Sequence, residues 1–232
     1  VTIKPKRQES ILRRHPWVFS GAIKSIDGKP SAGDWVCVRA NKGALLGWGH
    51  YSPGTSIAIR LLTFAEDIPN DDWWKAKIIE AVNVRRQLGL LESKENNTCR
   101  LIHAEGDGLP GLIADFYSGV LVIQCHTPGM HKEMKLLCAA FSAALGDALF
   151  AVYDKSSKSL AKHGGIISED GLVWGKLPEN HHAMEHGHKF KIDWEKGQKT
   201  GFFIDQRENR NLLAHYSKGK MVLNVFSYTG GF

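Results

Sequence analysis

The chain has 232 residues and a mass of 25.8 kDa, with 30 Lys and Arg against 24 Asp and Glu and 43% hydrophobic residues, a balance that excludes a disordered tail and a repetitive fibre. No apolar run approaches the ~20 residues of a membrane helix, and the opening VTIKPKRQES lacks the apolar core of a secretion signal, so a cytoplasmic protein without a membrane partner is expected. The net charge of +6 is unevenly placed. Residues 1–20 carry Lys4, Lys6, Arg7, Arg13 and Arg14 against Glu9 alone, and residues 196–220 carry Lys196, Lys199, Arg207, Arg210, Lys218 and Lys220 against Asp205 and Glu208. Clustered basic charge attracts polyanions, nucleic acid first among them; the plain alternative is two solvated surface segments.

In chain order, residues 1–65 read as a small β-rich unit, with β-prone runs at 35–38 and 57–62 punctuated by Gly28, Gly33, Gly43, Gly47, Gly49 and Pro53-Gly54. Asp67 to Asp72 reads as a linker ending in a helix cap. The helix that follows should bury Trp74, Ile78, Ala81 and Leu88 and turn Arg85, Arg86 and Gln87 outward. Residues 112–117 and 120–125 form a hairpin about Ser118-Gly119. Met134, Leu137, Cys138, Phe141 and Leu145 mark a helix face that stops at Gly146. Two strands should flank Asp170-Gly171, and Phe190, Ile192 and Trp194 alternate like a third. The sum is a mixed α+β fold without internal repeats, organised as units at 1–68, 73–195 and 196–232.

The last unit carries the most information. Asp205 followed by Glu208 has the spacing of a capping box and opens a helix to about Tyr216. Met221 to Phe226 is a continuous apolar run of the kind buried in a parallel sheet, running into the turn Ser227-Tyr228-Thr229-Gly230-Gly231. Strand into glycine-rich turn is how a doubly wound domain offers backbone N–H groups to a nucleotide-like cofactor. A strand buried on both faces needs neighbours that the remaining residue, Phe232, cannot supply, so the chain is expected to be the front part of a longer protein.

The string QKTGFFIDQR at 198–207, a helix, and VLNVFSYTGGF at 222–232 resembles the bacterial 23S ribosomal RNA cytosine-5 methyltransferase family whose members begin with a PUA module. LRRHPWVFSGA at 12–22 is similar to the start of that module, and RLI at 100–102 with EGDGLPGL at 105–112 to the central domain. The resemblance implies a PUA barrel, a central α+β domain, and the first helix and strand of a class I, Rossmann-like methyltransferase domain. It implies S-adenosylmethionine as cofactor and 23S ribosomal RNA as partner; a homodimer is the candidate assembly. The cofactor candidates it implies are Lys199, Thr200, Gly201, Phe202, Phe203, Asp205, Gln206, Arg207, Asn224, Phe226, Ser227, Tyr228, Thr229 and Gly230. Aromatic faces can lie against a sulfonium and small residues admit close backbone approach, although Asp205 has a competing role as a helix cap and one of the two phenylalanines should be core.

Arg13, Arg14 and His15 are the RNA-contact candidates, because two adjacent guanidiniums beside Pro16 are hard to explain as packing; Trp17 and Phe19 read as buried. Glu105 and Asp107 sit among Gly106, Gly108, Pro110 and Gly111, which favours a structural turn over acid–base chemistry. Residues 153–157, with Lys158, Lys162 and His163, depart from the family's usual Arg and Glu, which weakens an RNA contact there. His181, His182, His186 and His188 lack partners at metal-ligand spacing, and no metal site is expected. Cys37, Cys99, Cys125 and Cys138 form no CxxC pair and should be reduced and buried. In the resembled chemistry a cysteine thiolate adds to the cytosine ring and makes the neighbouring carbon nucleophilic. That cysteine is expected beyond the TGG turn, so no catalytic residue is assigned here, and this chain by itself is expected to be inactive; the alternative function is a free-standing RNA-binding module without catalysis.

Overall fold

Short β-prone runs separated by glycine and proline turns fill the first sixty-odd positions, and in the 35–39 run burial alternates along the chain, which suits strands with one face buried. In the computed structural model these are β1 (Thr2–Ile3), β2 (Trp17–Phe19), β3 (Ile23–Ser25), β4 (Trp35–Arg39), β5 (Leu45–Tyr51) and β6 (Ile57–Thr63), with a single turn of helix, α1 (Glu9–Leu12). The structure describes every residue except 165, 166 and 229, and of His163 and Gly164 the backbone alone. The six strands form one sheet in the order β2-β6-β5-β4-β1-β3, which curls into a nearly closed barrel around Ile3, Val18, Val38, Ile59 and Leu61. Gly49 permits that curl: a Cβ there would fall 2.1 Å from the Arg60 carbonyl oxygen.

Helix α2 (Asp71–Gln87) leads into the second unit. Its cap is Asn70, whose side chain accepts the Trp73 N–H at 2.9 Å, rather than Asp72. Trp74, Ile78 and Ala81 are buried as expected, with Val82 beside them, but Leu88 is exposed because the helix ends at Gln87. Arg85 does not face outward: its guanidinium forks onto Asp107 and donates to the Arg100 carbonyl. Strands β7 (Thr98–His103), β8 (Leu112–Tyr117), β9 (Val120–Cys125), β10 (Ala151–Asp154) and β11 (Gly171–Gly175) make a sheet ordered β11-β10-β9-β8-β7. The β8–β9 hairpin turns at Ser118 and Gly119, both at positive φ. After β9 the chain crosses through α3 (Pro128–Lys132) and α4 (Met134–Leu145) to place β10 parallel to β9. Helices α2 and α4 cover one face of this sheet, with Trp74, Leu101, Leu121 and Phe141 in the shared core.

The opposite face, presenting Tyr117, Val120, Val122 and Tyr153, is covered by Ala183, Ile192 and Phe202. Of the two strands expected about Asp170-Gly171, the second is β11, beginning at Gly171; before it, residues 165 and 166 lie outside the described residues, and among the described ones 167–170 are not a strand and helix α5 (Ser157–Gly164) precedes them. The alternating 190–194 run is a strand only to Phe190: β13 (His188–Phe190) pairs with β12 (Ala183–Glu185), while Ile192 and Trp194 pack without a ladder.

Helix α6 (Arg207–Ser217) forms, after a 3-10 turn at Ile204–Gln206. The capping box does not: Asp205 lies in the turn, Gln206 occupies the cap position, and no side chain accepts a cap bond. Nor is Met221–Phe226 a buried strand. It is irregular, and Met221, Leu223 and Phe226 are almost fully exposed, because among the described residues no strand lies alongside to pair with it.

Two indoles join the barrel to the second sheet. Trp17 Nε1 donates to Glu105 at 2.7 Å and Trp35 Nε1 to Glu133 at 2.8 Å, with Lys132 reaching Asp34 at 2.8 Å. Trp17 is therefore a half-buried bridge and not core, and Phe19 is half exposed. The His50 ring packs so tightly on Gly129 that a Cβ there would stand 2.1 Å from it.

Candidate functional site

Residues 198–207 run across the face of the second sheet with their side chains divided between two directions. Thr200 is fully buried, donating to Asp115 at 2.6 Å and bonding the Tyr117 hydroxyl at 2.8 Å. Phe202 is core, 5.0 Å from the Phe190 ring. Lys199 and Phe203 face the other way, the ammonium 4.8 Å from the ring centre. Gly201, at φ +117°, lies so close to Asp193 and Trp194 that a Cβ would meet backbone at 2.8 Å. Arg207, a cofactor candidate from sequence, is buried and donates to the Thr98 carbonyl. Of the candidates in this segment, Thr200, Phe202 and Arg207 are thus committed to the fold. Asp205 is exposed, and Gln206 accepts from Asn209 at 2.8 Å.

The glycine-rich end returns to the same place. Tyr228 accepts the Gln198 N–H on its hydroxyl at 2.7 Å and sets its ring 5.6 Å from Phe203. Asn224 donates to the Phe232 carbonyl at 2.9 Å, and Gly230 N–H bonds Ser227 O at 2.8 Å to close the turn; Thr229 lies outside the described residues. Phe226 and Tyr228 hold φ values of +63° and +52°, the left-handed region that side chains seldom adopt. The sequence pattern missed Gln198 and Arg210 as members of this cluster. Arg210 lies three residues after Arg207, hence on nearly the same helix face, and that spacing was its one signal. Its guanidinium forks onto buried Glu185 at 2.6 and 2.7 Å and lies 4.4 Å from the Phe202 ring centre.

Between these segments is a cavity of about 230 Å³ lined by Phe203, Gln206, Asn224, Phe226, Tyr228 and Phe232 among others, beside a larger one of about 530 Å³ bounded by α6 and the β12–β13 hairpin. The smaller falls short of the roughly 300 Å³ at which small-molecule pockets begin. Its chemistry fits part of S-adenosylmethionine: aromatic faces for the sulfonium and adenine, and turn backbone for polar atoms. It lines no carboxylate that could accept from a ribose diol. The residues present fit one side of the cofactor.

On the barrel, Arg13, Arg14 and His15 are all exposed. Arg14 lies 5.3 Å over the Phe64 ring, and His15 Nδ1 accepts the Trp17 N–H while its ring meets the indole edge-on at 5.6 Å. Lys4, Lys6 and Arg7 are exposed nearby in sequence. The second basic cluster is smaller than its residue count: Arg207 and Arg210 are buried around Glu185, leaving four exposed lysines against exposed Asp205 and Glu208.

Elsewhere the carboxylates of EGDGLPG are structurally engaged, Glu105 by Trp17 and Asp107 by Arg85. Lys155 is buried and donates to the Gly197 carbonyl at 2.7 Å; the side chain of His163 lies outside the described set. Asp154 accepts from Ser156 and from His131 Nε2 at 2.9 Å, a contact that raises the imidazole pKa. His181 contacts Ser118 O at 3.2 Å, His182 the Asn180 carbonyl, and His186 stands 3.7 Å from Glu208; among the described residues no three ligating side chains converge for a metal. The cysteines are free, with Cys37 half-buried and the rest buried; burial pushes the Cys99 thiol up to about 12, Cys138 to about 11, and Cys125 higher still. No helix among the described residues is long and apolar enough to cross a membrane.

Comparison with known proteins gives the frame. A profile described as a PUA-like domain matches residues 1–64, and one described as S-adenosylmethionine-dependent methyltransferase matches residues 99–232. Proteins named ribosomal RNA large subunit methyltransferase I are 40% identical over 234 residues in Shewanella denitrificans and 36% over 233 in Pseudoalteromonas atlantica. Each is matched over 100% of this chain and 58% of the relative, so the chain spans a little over half the length of these relatives. Two solved structures share the fold over the whole chain: a Streptococcus mutans protein classed as a SAM-dependent methyltransferase (TM-score 0.79, 21% identity, 58% of that chain), and a methyltransferase-class protein complexed with SAH (0.80, 20%, 57%). With more than half of its length matched by the methyltransferase profile, the chain belongs to the S-adenosylmethionine-dependent methyltransferase family.

Proposed function

We propose that this chain is the RNA-recognising and cofactor-approaching part of a cytoplasmic enzyme that methylates position 5 of a cytosine in 23S ribosomal RNA. The observation that carries the reading is full-chain similarity, at 36–40% identity, to proteins named ribosomal RNA large subunit methyltransferase I, joined to an exposed arginine pair on a PUA-like barrel. Phosphates met by Arg13 and Arg14 supply salt-dependent affinity, and His15 beside Trp17 offers ring faces to an unstacked base. The indole bridges to Glu105 and Glu133 fix the barrel against the second sheet, so RNA held by one is presented at a set distance to the other.

Bound S-adenosylmethionine supplies an electrophilic methyl group. Lys199, Phe203, Asn224, Phe226 and Tyr228 would hold one side of it, the rings offering their faces to the positive sulfur. Gly201, Gln206, Ser227 and Gly230 shape the backbone around them. None of the four cysteines serves as the attacking thiolate, since burial keeps Cys99, Cys125 and Cys138 protonated and Cys37 lies on barrel strand β4.

The test is binding by the chain to large-subunit RNA fragments across a salt series, with SAH titrated in parallel. Salt-sensitive RNA binding that weakens in Arg13→Ala and Arg14→Ala, and SAH contacts centred on Phe203 and Tyr228, support the reading. RNA affinity flat in salt, or SAH contacts elsewhere, contradicts it.

A further inference from the structure

Asp115 is a fully buried carboxylate in the middle of β8, an expensive place for a charge. Arg100, directly opposite it on β7, forks onto it at 2.8 and 3.0 Å. The second partner comes from far along the chain: Thr200 Oγ1 donates to Asp115 Oδ2 at 2.6 Å. A threonine hydroxyl has one proton, so with that proton committed to the carboxylate the Tyr117 hydroxyl at 2.8 Å must be the donor in the Tyr117–Thr200 bond. Tyr117 is itself fully buried. The protons from Tyr117 through Thr200 to Asp115 thus point one way, towards the carboxylate that Arg100 balances.

The consequence lies on the other side of the segment. Anchoring Thr200 and Phe202 inward turns Lys199 and Phe203 outward, and Lys199 is held at φ +51°, a conformation a lysine adopts only when its surroundings impose it. The Gln124 side chain holds the Lys199 carbonyl at 3.3 Å, and Gln198, one residue earlier, is the donor to Tyr228. Resting on the cofactor-site reading above, we infer that Arg100, Asp115, Tyr117 and Thr200 form a positioning relay that sets Lys199, Phe203 and Tyr228 for the cofactor, and that Thr200 acts there without touching it.

Amide hydrogen exchange of the chain, followed by NMR, tests the relay. Thr200→Val keeps the side-chain shape and removes the hydroxyl. Protection of the Gly201 and Gln198 amides, which bond the Gln198 carbonyl and the Tyr228 hydroxyl, should fall about tenfold or more, while Val38 in the barrel keeps its own and Thr200→Ser restores both. Tyr117→Phe leaves the Thr200–Asp115 bond in place and should lower both less. SAH titration followed at Phe203 and Tyr228 should show affinity about tenfold weaker in Thr200→Val and near normal in Thr200→Ser. Unchanged Gly201 and Gln198 protection in Thr200→Val, or unchanged SAH affinity despite lost protection, overturns the relay. No SAH-induced change at Phe203 or Tyr228 in the unsubstituted protein overturns the cofactor reading itself, and with it the relay's role there.

Discussion

Replacing Glu185 by Gln should be among the most damaging single changes in the chain. Glu185 is 2% exposed and accepts both arms of the Arg210 fork at 2.6 and 2.7 Å, with Arg207 Nε 3.5 Å away. Removing its charge leaves two buried guanidiniums with no carboxylate between them. Breaking a buried pair from one side costs about 3–5 kcal/mol. For a chain of this size each kcal/mol lowers the melting temperature by roughly 2–4 °C, so the expected drop is about 6–20 °C. An exposed pair is the internal control: Glu80→Gln, which loses only the surface contact to Lys77, should cost less than about 1 kcal/mol. The double replacement Glu185→Met with Arg210→Met should recover part of the loss, because it strands one buried guanidinium, that of Arg207, instead of two. Urea denaturation followed by circular dichroism measures all of these. A loss below about 1 kcal/mol in Glu185→Gln, or a double variant no better than the single, would refute the argument that this pair holds α6 in place.

Acidification should weaken the seam between barrel and sheet. Burial lowers the His50 pKa from 6.5 in spite of nearby Glu133, and the His50 contact together with the Trp35 indole lowers that of Glu133 from 4.5. Stability from neutral His50 is complete above 6.5 and is lost as the pH falls below it, and that from Glu133 is lost below 4.5; melting temperatures at pH 7 and 5 should therefore differ less in His50→Gln than in the unsubstituted protein. In RNA binding, Arg13→Ala should reduce the slope of log K against log salt by roughly 0.7–0.9, and an unchanged slope would remove that arginine from the interface. Thiol alkylation at pH 8, read by mass spectrometry, should modify Cys37 well before Cys99 or Cys125; early labelling of Cys99 would contradict its buried, protonated state.

What could be read from residue order was largely what periodicity and turn chemistry control. The β8–β9 hairpin, the α4 face ending at Gly146 and the Trp74–Ile78–Ala81 stripe each follow from a local rule, and each is present. Local rules failed where distant partners decide. Arg85 looked outward by helical phase, yet Asp107 from another element draws it in; Asp205 had the spacing of a cap, yet a 3-10 turn displaces it. The Met221–Phe226 run has the composition of a buried strand, but composition supplies no partner for its backbone. At the candidate site, the motif named the segment without dividing it. Which of Lys199, Thr200, Phe202 and Phe203 turn into the core depends on Asp115 and Tyr117, some 85 residues earlier, and only the fold brings them together.

The most direct test of the account lies in the ribosome. Large-subunit RNA from cells lacking the gene, compared with RNA from parental cells by nucleoside mass spectrometry and site mapping, should lack one 5-methylcytidine that returns on complementation and fails to return with Tyr228→Ala and Phe203→Ala together. A 5-methylcytidine complement unchanged by the deletion, or loss of a different methylated nucleoside, would contradict the proposed reaction.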